Sequence, residues 1–204
     1  MPRASVGCRG IVASASIALS LSLAGVGQAA EAPWHVARGG VRIVVPLKPG
    51  GAFEATSPAL SGALTPGAGK PLPLAGELVL ELSTIDTGID LRNRHLREKY
   101  LEVARGRGFD KAVLSEVVVS DAAGTDFQGK SGFSGTLLLH GVKKPVSGTA
   151  EIRRAGTAVQ VEASFPLTLT DFAIVPPEYL GVGVADRVMV KVQLTAAPAR
   201  AAGQ

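Results

Sequence analysis

Few residues of this 204-residue chain have the types and spacing to do chemistry. Asp86-Thr87-Gly88, preceded by Ile85, has the form of half an aspartic-protease dyad. That chemistry needs two carboxylates close enough to share one proton. The chain has no second Asp-Thr-Gly or Asp-Ser-Gly, so only a homodimer would complete such a site. The plainer reading is a strand end, with Asp86 accepting hydrogen bonds from nearby backbone and Gly88 turning the chain. No two of His35, His95 and His140 lie three or four residues apart, the spacing that puts two metal ligands on one helix face, so no metal is expected. Ser131 and Ser134 stand in Gly-Lys-Ser-Gly and Gly-Phe-Ser-Gly. Neither is the Gly-x-Ser-x-Gly of a nucleophile elbow, and neither precedes a helix. Lys143-Lys144-Pro145 reads as a hairpin turn carrying solvated charges, with a phosphate contact open to it. No enzyme activity and no cofactor are expected from this set.

The elements that position these residues begin after a leader. Arg3 and Arg9 precede an apolar run from Ile11 to Val26, and Gly27-Gln28-Ala29-Ala30 then presents small residues where a peptidase cuts. This is the three-part pattern of a secretory signal peptide. It predicts a cleaved leader at 1–30, a mature domain at 31–204, and a periplasmic or secreted location. The run is short for spanning about 30 Å of hydrocarbon, so stable membrane insertion is not expected. Cys8, the only cysteine, leaves with the leader, and the mature chain has neither a disulfide nor a thiolate. Losing Arg3 and Arg9 takes the 21 bases to 19 against 17 acids, a formal charge of +2 instead of +4. No basic stripe interleaved with aromatics marks a nucleic-acid partner.

Strict alternation of apolar and polar residues, the mark of strands with one buried face, dominates the rest. Leu78, Leu80 and Leu82 oppose Glu77 and Glu81. Val159, Val161, Ala163 and Phe165 oppose Gln160, Glu162 and Ser164. Val188, Val190, Val192 and Leu194 oppose Arg187, Met189, Lys191 and Gln193. Weaker runs at 41–46, 111–120, 131–140 and 146–153, with short stretches near Trp34 and Phe53, bring the number to about eight or nine strands. Glycines at 39–40, 50–51, 124, 129, 141 and 156 fall between the runs and read as turns. This spacing predicts an all-β antiparallel sandwich or closed barrel. One segment, Leu91 to Val103, has helical spacing instead, with Asp90 as its N-cap. Residues 65–73 and 170–185, rich in Pro and Gly, read as loops, the second long enough to cover a barrel end.

Ser83-Thr84-Ile85-Asp86-Thr87-Gly88 leading into Leu91-Arg92-Asn93-Arg94-His95-Leu96 resembles the "S-I-D-T-G" strand end and "R-D-x-H-L" helix of the bacterial YceI-like, polyisoprenoid-binding family. Phe133 to Val146, through Gly135-Thr136-Leu137-Leu138-Leu139-His140-Gly141-Val142-Lys143-Lys144-Pro145, is similar to that family's "v-G-x-L-t-l-x-G-v-t-k-P-V" strand pair. Asp171-Phe172-Ala173-Ile174 is similar to its late "d-F-g-i" segment. The resemblance runs from about Trp34 to Pro198. It implies an antiparallel lipocalin-like β-barrel of about eight strands with one short amphipathic helix, periplasmic or secreted, carrying an isoprenoid chain in an apolar tunnel. Two departures stand out. Asn93 replaces the usual aspartate, which alters a hydrogen bond at the helix start. Residues 34–46 lack the family's common early histidines, which bears on any histidine contact to a ligand head group.

The resulting expectation is a lipid-binding barrel whose core and binding site are the same residues. The partner is an isoprenoid or other long-chain lipid, and a homodimer is compatible with the pattern. Leu80, Leu82, Val113, Leu137, Leu139, Val161, Phe165 and Val190 are the expected liners. Phe109, Phe133 and Phe172 are the expected gates. Arg92, retained from the family pattern, is expected to pair with an acid, and His95 to sit near the barrel mouth with a head-group contact open to it. The rival expectation is an exported stress or interaction protein of the same fold with a collapsed interior.

Overall fold

The structure, a computed structural model, describes residues 32–179 and 182–198. The expected leader lies outside the described residues, as do Leu180 and Gly181 of the expected long loop. The strands are β1 (Trp34–Lys48), β2 (Ala52–Ser57), β3 (Leu60–Pro66), β4 (Leu72–Glu81), β5 (Lys111–Val119), β6 (Gly129–Leu139), β7 (Val142–Ala155), β8 (Ala158–Thr168), β9 (Glu178–Tyr179), β10 (Val182–Val184) and β11 (Arg187–Pro198). Each pairs antiparallel with its neighbours.

The sheet closes on itself. Along one edge β1 pairs with β11, from Trp34↔Pro198 to Val44↔Met189. Its other edge pairs with β2 at Val41–Pro46 and with β3 at Trp34–His35. So β2 and β3 are two halves of one position in the ring, separated at Pro58-Ala59, where proline has no N–H to give to a ladder. The ring has eight positions, and closure removes every open edge except those of the small β9–β10 hairpin. That hairpin pairs onto the end of β1 through Leu47↔Val184.

Several expected turns lie elsewhere. Gly39-Gly40 is inside β1, beside a register shift between Val36 and Arg38. A Cβ on Gly39 would stand 3.1 Å from the Leu60 side chain, so this glycine makes room for a neighbour instead of turning the chain. The β6–β7 turn is His140-Gly141, both at positive φ (51° and 76°), the signature of a two-residue type I′ hairpin. Lys143-Lys144-Pro145 is therefore strand β7, with its charges exposed. The expected loop at 65–73 is narrower, 67–71, because β3 runs to Pro66 and β4 starts at Leu72. Residues 170–185 hold the end of a 3₁₀ turn (Leu169–Phe172) and the β9–β10 hairpin.

The helical segment is shorter and less regular than its spacing predicts. Helix α1 is Asp90–His95; it widens into a π-type turn at Leu96–Tyr100, where the Leu101 N–H donates to the Leu96 carbonyl, and a 3₁₀ turn follows at Val103–Arg105. Ile89, not Asp90, is the N-cap, and no side chain caps it. Asp90 is the first helical residue, where a carboxylate is favoured by the helix dipole. Among the described residues no helix is long and apolar enough to cross a membrane.

Candidate functional site: an apolar cavity along the barrel

Alternation decides what the barrel encloses. One continuous cavity of about 840 Å³ fills its interior. It lies in the upper part of the roughly 300–1,000 Å³ range of small-molecule pockets. At about 30 Å³ per water-sized group, it holds on the order of two dozen such groups or more. Val36 and Leu47 of β1 both reach it. Eleven residues at about 3.3 Å each, tilted by about 40°, make a hollow roughly 28 Å long.

Most of the expected contact residues meet this cavity. Leu80 approaches it from β4 and Leu82 from the 3₁₀ turn that follows (Leu82–Thr84), Leu137 and Leu139 from β6, Val161 and Phe165 from β8, and Val190 from β11. Phe133 lies on the wall, its ring edge-on to Phe165 with centroids 6.0 Å apart. Their meeting depends on Gly148, directly across from Phe133. A Cβ there would fall 2.2 Å from the Ser164 carbonyl oxygen and 2.7 Å from the Phe165 Cβ.

Three expected residues stand elsewhere. Val113 faces away from the interior, because its neighbours Ala112 and Leu114 line it and strand residues alternate. Phe109 packs outside the cavity, edge-on to the His140 ring at 4.8 Å and beneath the Arg105 guanidinium at 3.9 Å. Phe172 is 2% exposed and belongs to the solid packing beside the hollow. Of the three proposed gates, only Phe133 touches the cavity. Spacing alone did not reveal Phe53, Tyr100, Trp34 and Ile152, which also line it. Phe53 and Tyr100 lie in short or irregular elements whose faces no periodicity reports.

The polar residues on the wall gather near the two ends. Thr87, Arg92, His95, Tyr100 and Glu178 stand where α1 and the β9–β10 hairpin flank the mouth. The Arg92 guanidinium lies over the Phe53 ring, 4.2 Å from its centroid. Its partner is thus an aromatic face and not the acid expected. Below these residues Asn93 holds the helix to the barrel. Its Oδ1 accepts hydrogen bonds from the Thr87 backbone N–H (2.8 Å) and the Thr87 hydroxyl (2.7 Å), and its Nδ2 donates to Asp86 Oδ1 (2.7 Å). The Gly88 N–H donates to the same carboxylate oxygen at 2.8 Å. The Asn93 amide, then the Gly88 N–H, with the Arg97 charge beyond, hold the Asp86 carboxyl below the ordinary aspartate range. Asp86 is the strand-end anchor that its plainer reading described.

At the same end His140 joins three elements. Its Nδ1 is 3.1 Å from the Phe172 carbonyl oxygen and its Nε2 is 3.1 Å from Glu102 Oε2. The opposite end carries a plug. The Arg154 guanidinium lies 5.1 Å from the Trp34 ring and donates to the Thr125 carbonyl and to Asp126 Oδ1. This latches residues 122–127 over a small apolar cluster of Leu72, Val119 and Ala122. Among the described residues no group of three or more His, Cys, Asp or Glu side chains could hold a metal ion.

A family model described as the YceI-like domain matches residues 47–196. Among solved structures, the chain is similar to a polyisoprenoid binding domain from Saccharophagus degradans implicated in plant cell wall breakdown. The TM-score is 0.61 at 20% identity, covering 81% of this chain and 98% of that one. It is also similar to BcnA of Burkholderia cenocepacia, with TM-score 0.60, 17% identity, and 78% and 96% covered. A YceI protein of Campylobacter jejuni aligns with TM-score 0.50, 15% identity, and 70% and 83% covered. At such identities these likenesses concern the fold. No curated protein sequence matches the chain.

Proposed function

Because the chain belongs to the YceI-like domain family, we propose that it binds a long isoprenoid or similar apolar chain along the barrel axis. The observation that carries this reading is the 840 Å³ hollow, whose wall is aliphatic and aromatic except near its ends. A hydrocarbon tail placed there leaves water at about 0.8 kcal/mol per buried methylene. A wall of this kind discriminates weakly, about 1–3 kcal/mol for one methylene more or less, so the bound chains are a length class and not one molecule. The polyisoprenoid-binding domain among the similar structures supports an isoprenoid as the first candidate. The basic start and apolar run of residues 1–30 support export to the periplasm or beyond. The protein acts by holding its ligand and carries out no bond chemistry.

The test is native mass spectrometry of protein extracted from its host without detergent. A bound lipid that leaves on denaturation, and uptake of a long-chain polyprenol by stripped protein, are expected. Consistently empty protein that takes up no prenyl lipid would overturn the reading. It would favour the exported interaction protein that uses the same fold without a ligand.

A further inference from the structure

We propose that the mouth of the barrel docks on the surface of a lipid bilayer, with the aliphatic side chains of its rim set among the head groups. The proposal rests on the lipid-binding reading above and adds where the ligand enters. Five large hydrophobic side chains are exposed among the described residues: Ile89 (49%), Leu91 (58%), Val175 (75%), Val182 (54%) and Met189 (38%). Four of the five stand at one end of the molecule. Ile89, Leu91 and Val182 border the cavity, and Val175 lies between Ile174 and Pro177, which meet its wall at that end. They come from three separate segments: the start of α1, the stretch before β9, and β10. The rim is continuous with the apolar wall, so a chain sliding from a bilayer into the barrel has an aliphatic path beside the polar groups of the mouth.

The composition of the rim selects the occupant. Protein interfaces are anchored by central Trp, Tyr and Arg and bury about 800 Å² per partner. The exposed apolar side chains of this rim are all aliphatic, and Arg92 and Tyr100 beside them are half-buried in the cavity wall, Arg92 on the Phe53 ring, so no exposed aromatic anchor serves a second copy or another protein. The charges nearby are balanced: Lys48, Arg92, Arg94 and Lys99 stand among Asp86, Asp90, Glu98 and Glu178. Attraction to an anionic surface is therefore not the driving term. Insertion of apolar side chains is, and it survives salt screening.

The experiment is flotation of the ligand-free protein with phosphatidylcholine vesicles at low and high salt. Polyprenol uptake from detergent micelles is measured in parallel. The wild type is expected to float to the same extent at both salt concentrations. Val175→Asp, whose side chain lies outside the cavity wall, is expected to lower partitioning about tenfold while uptake from micelles stays unchanged. Leu91→Asp is expected to lower it similarly, and Val175→Trp to raise it. Thermal melting checks that each variant is folded, and the Trp variant keeps the test open if an aspartate disturbs the rim. A wild type that takes up polyprenol from micelles but does not float overturns the docking surface and leaves the binding function intact. Flotation of Val175→Asp and Leu91→Asp equal to the wild type overturns it as well, as does flotation lost at high salt. A protein that takes up nothing from micelles overturns the binding reading instead, whatever it does on vesicles.

Discussion

Filling the hollow at its midpoint separates an empty barrel from a packed one. Ala163 lies halfway along β8, paired with Ala150 and Val192, and lines the cavity. Ala163→Trp projects an indole across it. In a filled core an insertion of that size forces neighbours off their rotamers and costs about 1–3 kcal/mol or more. Here the space already exists, so folding stability should change by less than about 1 kcal/mol. Ligand binding should change far more. If the indole denies a chain about ten methylene-sized places, the lost transfer free energy is about 8 kcal/mol at about 0.8 kcal/mol each. A quarter of that, about 2 kcal/mol, already weakens Kd roughly thirtyfold. Urea denaturation reads the first quantity. Titration with a long polyprenol, and with one short enough to stop before residue 163, reads the second. The long chain should lose its affinity and the short one keep it. Undiminished binding of the long chain by a folded variant would refute the axial placement. Destabilisation beyond about 1 kcal/mol, the range of a filled core, would refute the void itself.

Three further substitutions test the local contacts. Asn93→Ala leaves the Thr87 donors and the Asp86 carboxylate without their amide partner, and should cost about 1–3 kcal/mol in urea denaturation. The same change should flatten part of the acid dependence. Because folding lowers the Asp86 pKa, its contribution is present above the unfolded value near 3.9 and is lost as pH falls through the folded value. Stability measured from pH 6 down to pH 2 should therefore fall less steeply in the variant. Gly148→Ala puts a methyl group into the Ser164 carbonyl and should cost about 1–3 kcal/mol, read as a lower denaturation midpoint at unchanged slope. His140→Phe removes both ring hydrogen bonds and should cost about 1–3 kcal/mol, with faster amide exchange in the 3₁₀ turn at Leu169–Phe172.

Much of the barrel was legible in the chain, because a strand with one wet face must alternate. The inward rows Leu78–Leu80–Leu82, Val159 to Phe165 and Val188 to Leu194 all line the cavity. Errors came where glycine or proline had two physical uses. Gly39-Gly40 and Lys143-Lys144-Pro145 looked like turns, yet both lie within strands. A glycine that turns the chain and one that admits a neighbour's side chain are the same letter. Asp90 was expected as a cap but lies one position further into the helix, since Ile89 already has the extended conformation there.

The site was only half legible for a related reason. Alternation says which residues share a face but not which face is inside when both carry apolar side chains. In β5 the run Ala112-Val113-Leu114 is apolar throughout, and pairing with β4 and β6 turns Ala112 and Leu114 inward and Val113 outward. Phe109 and Phe172, in connections without a period, were placed by long-range contacts with His140. By itself the amino-acid order determined the strand class, the two-faced rows and the aliphatic character of whatever they surround. Ring closure through β1 and β11, the size of the hollow and the polar groups at its mouth were decided by the tertiary structure. They depend on pairings between residues more than a hundred positions apart, whose geometry no local preference encodes.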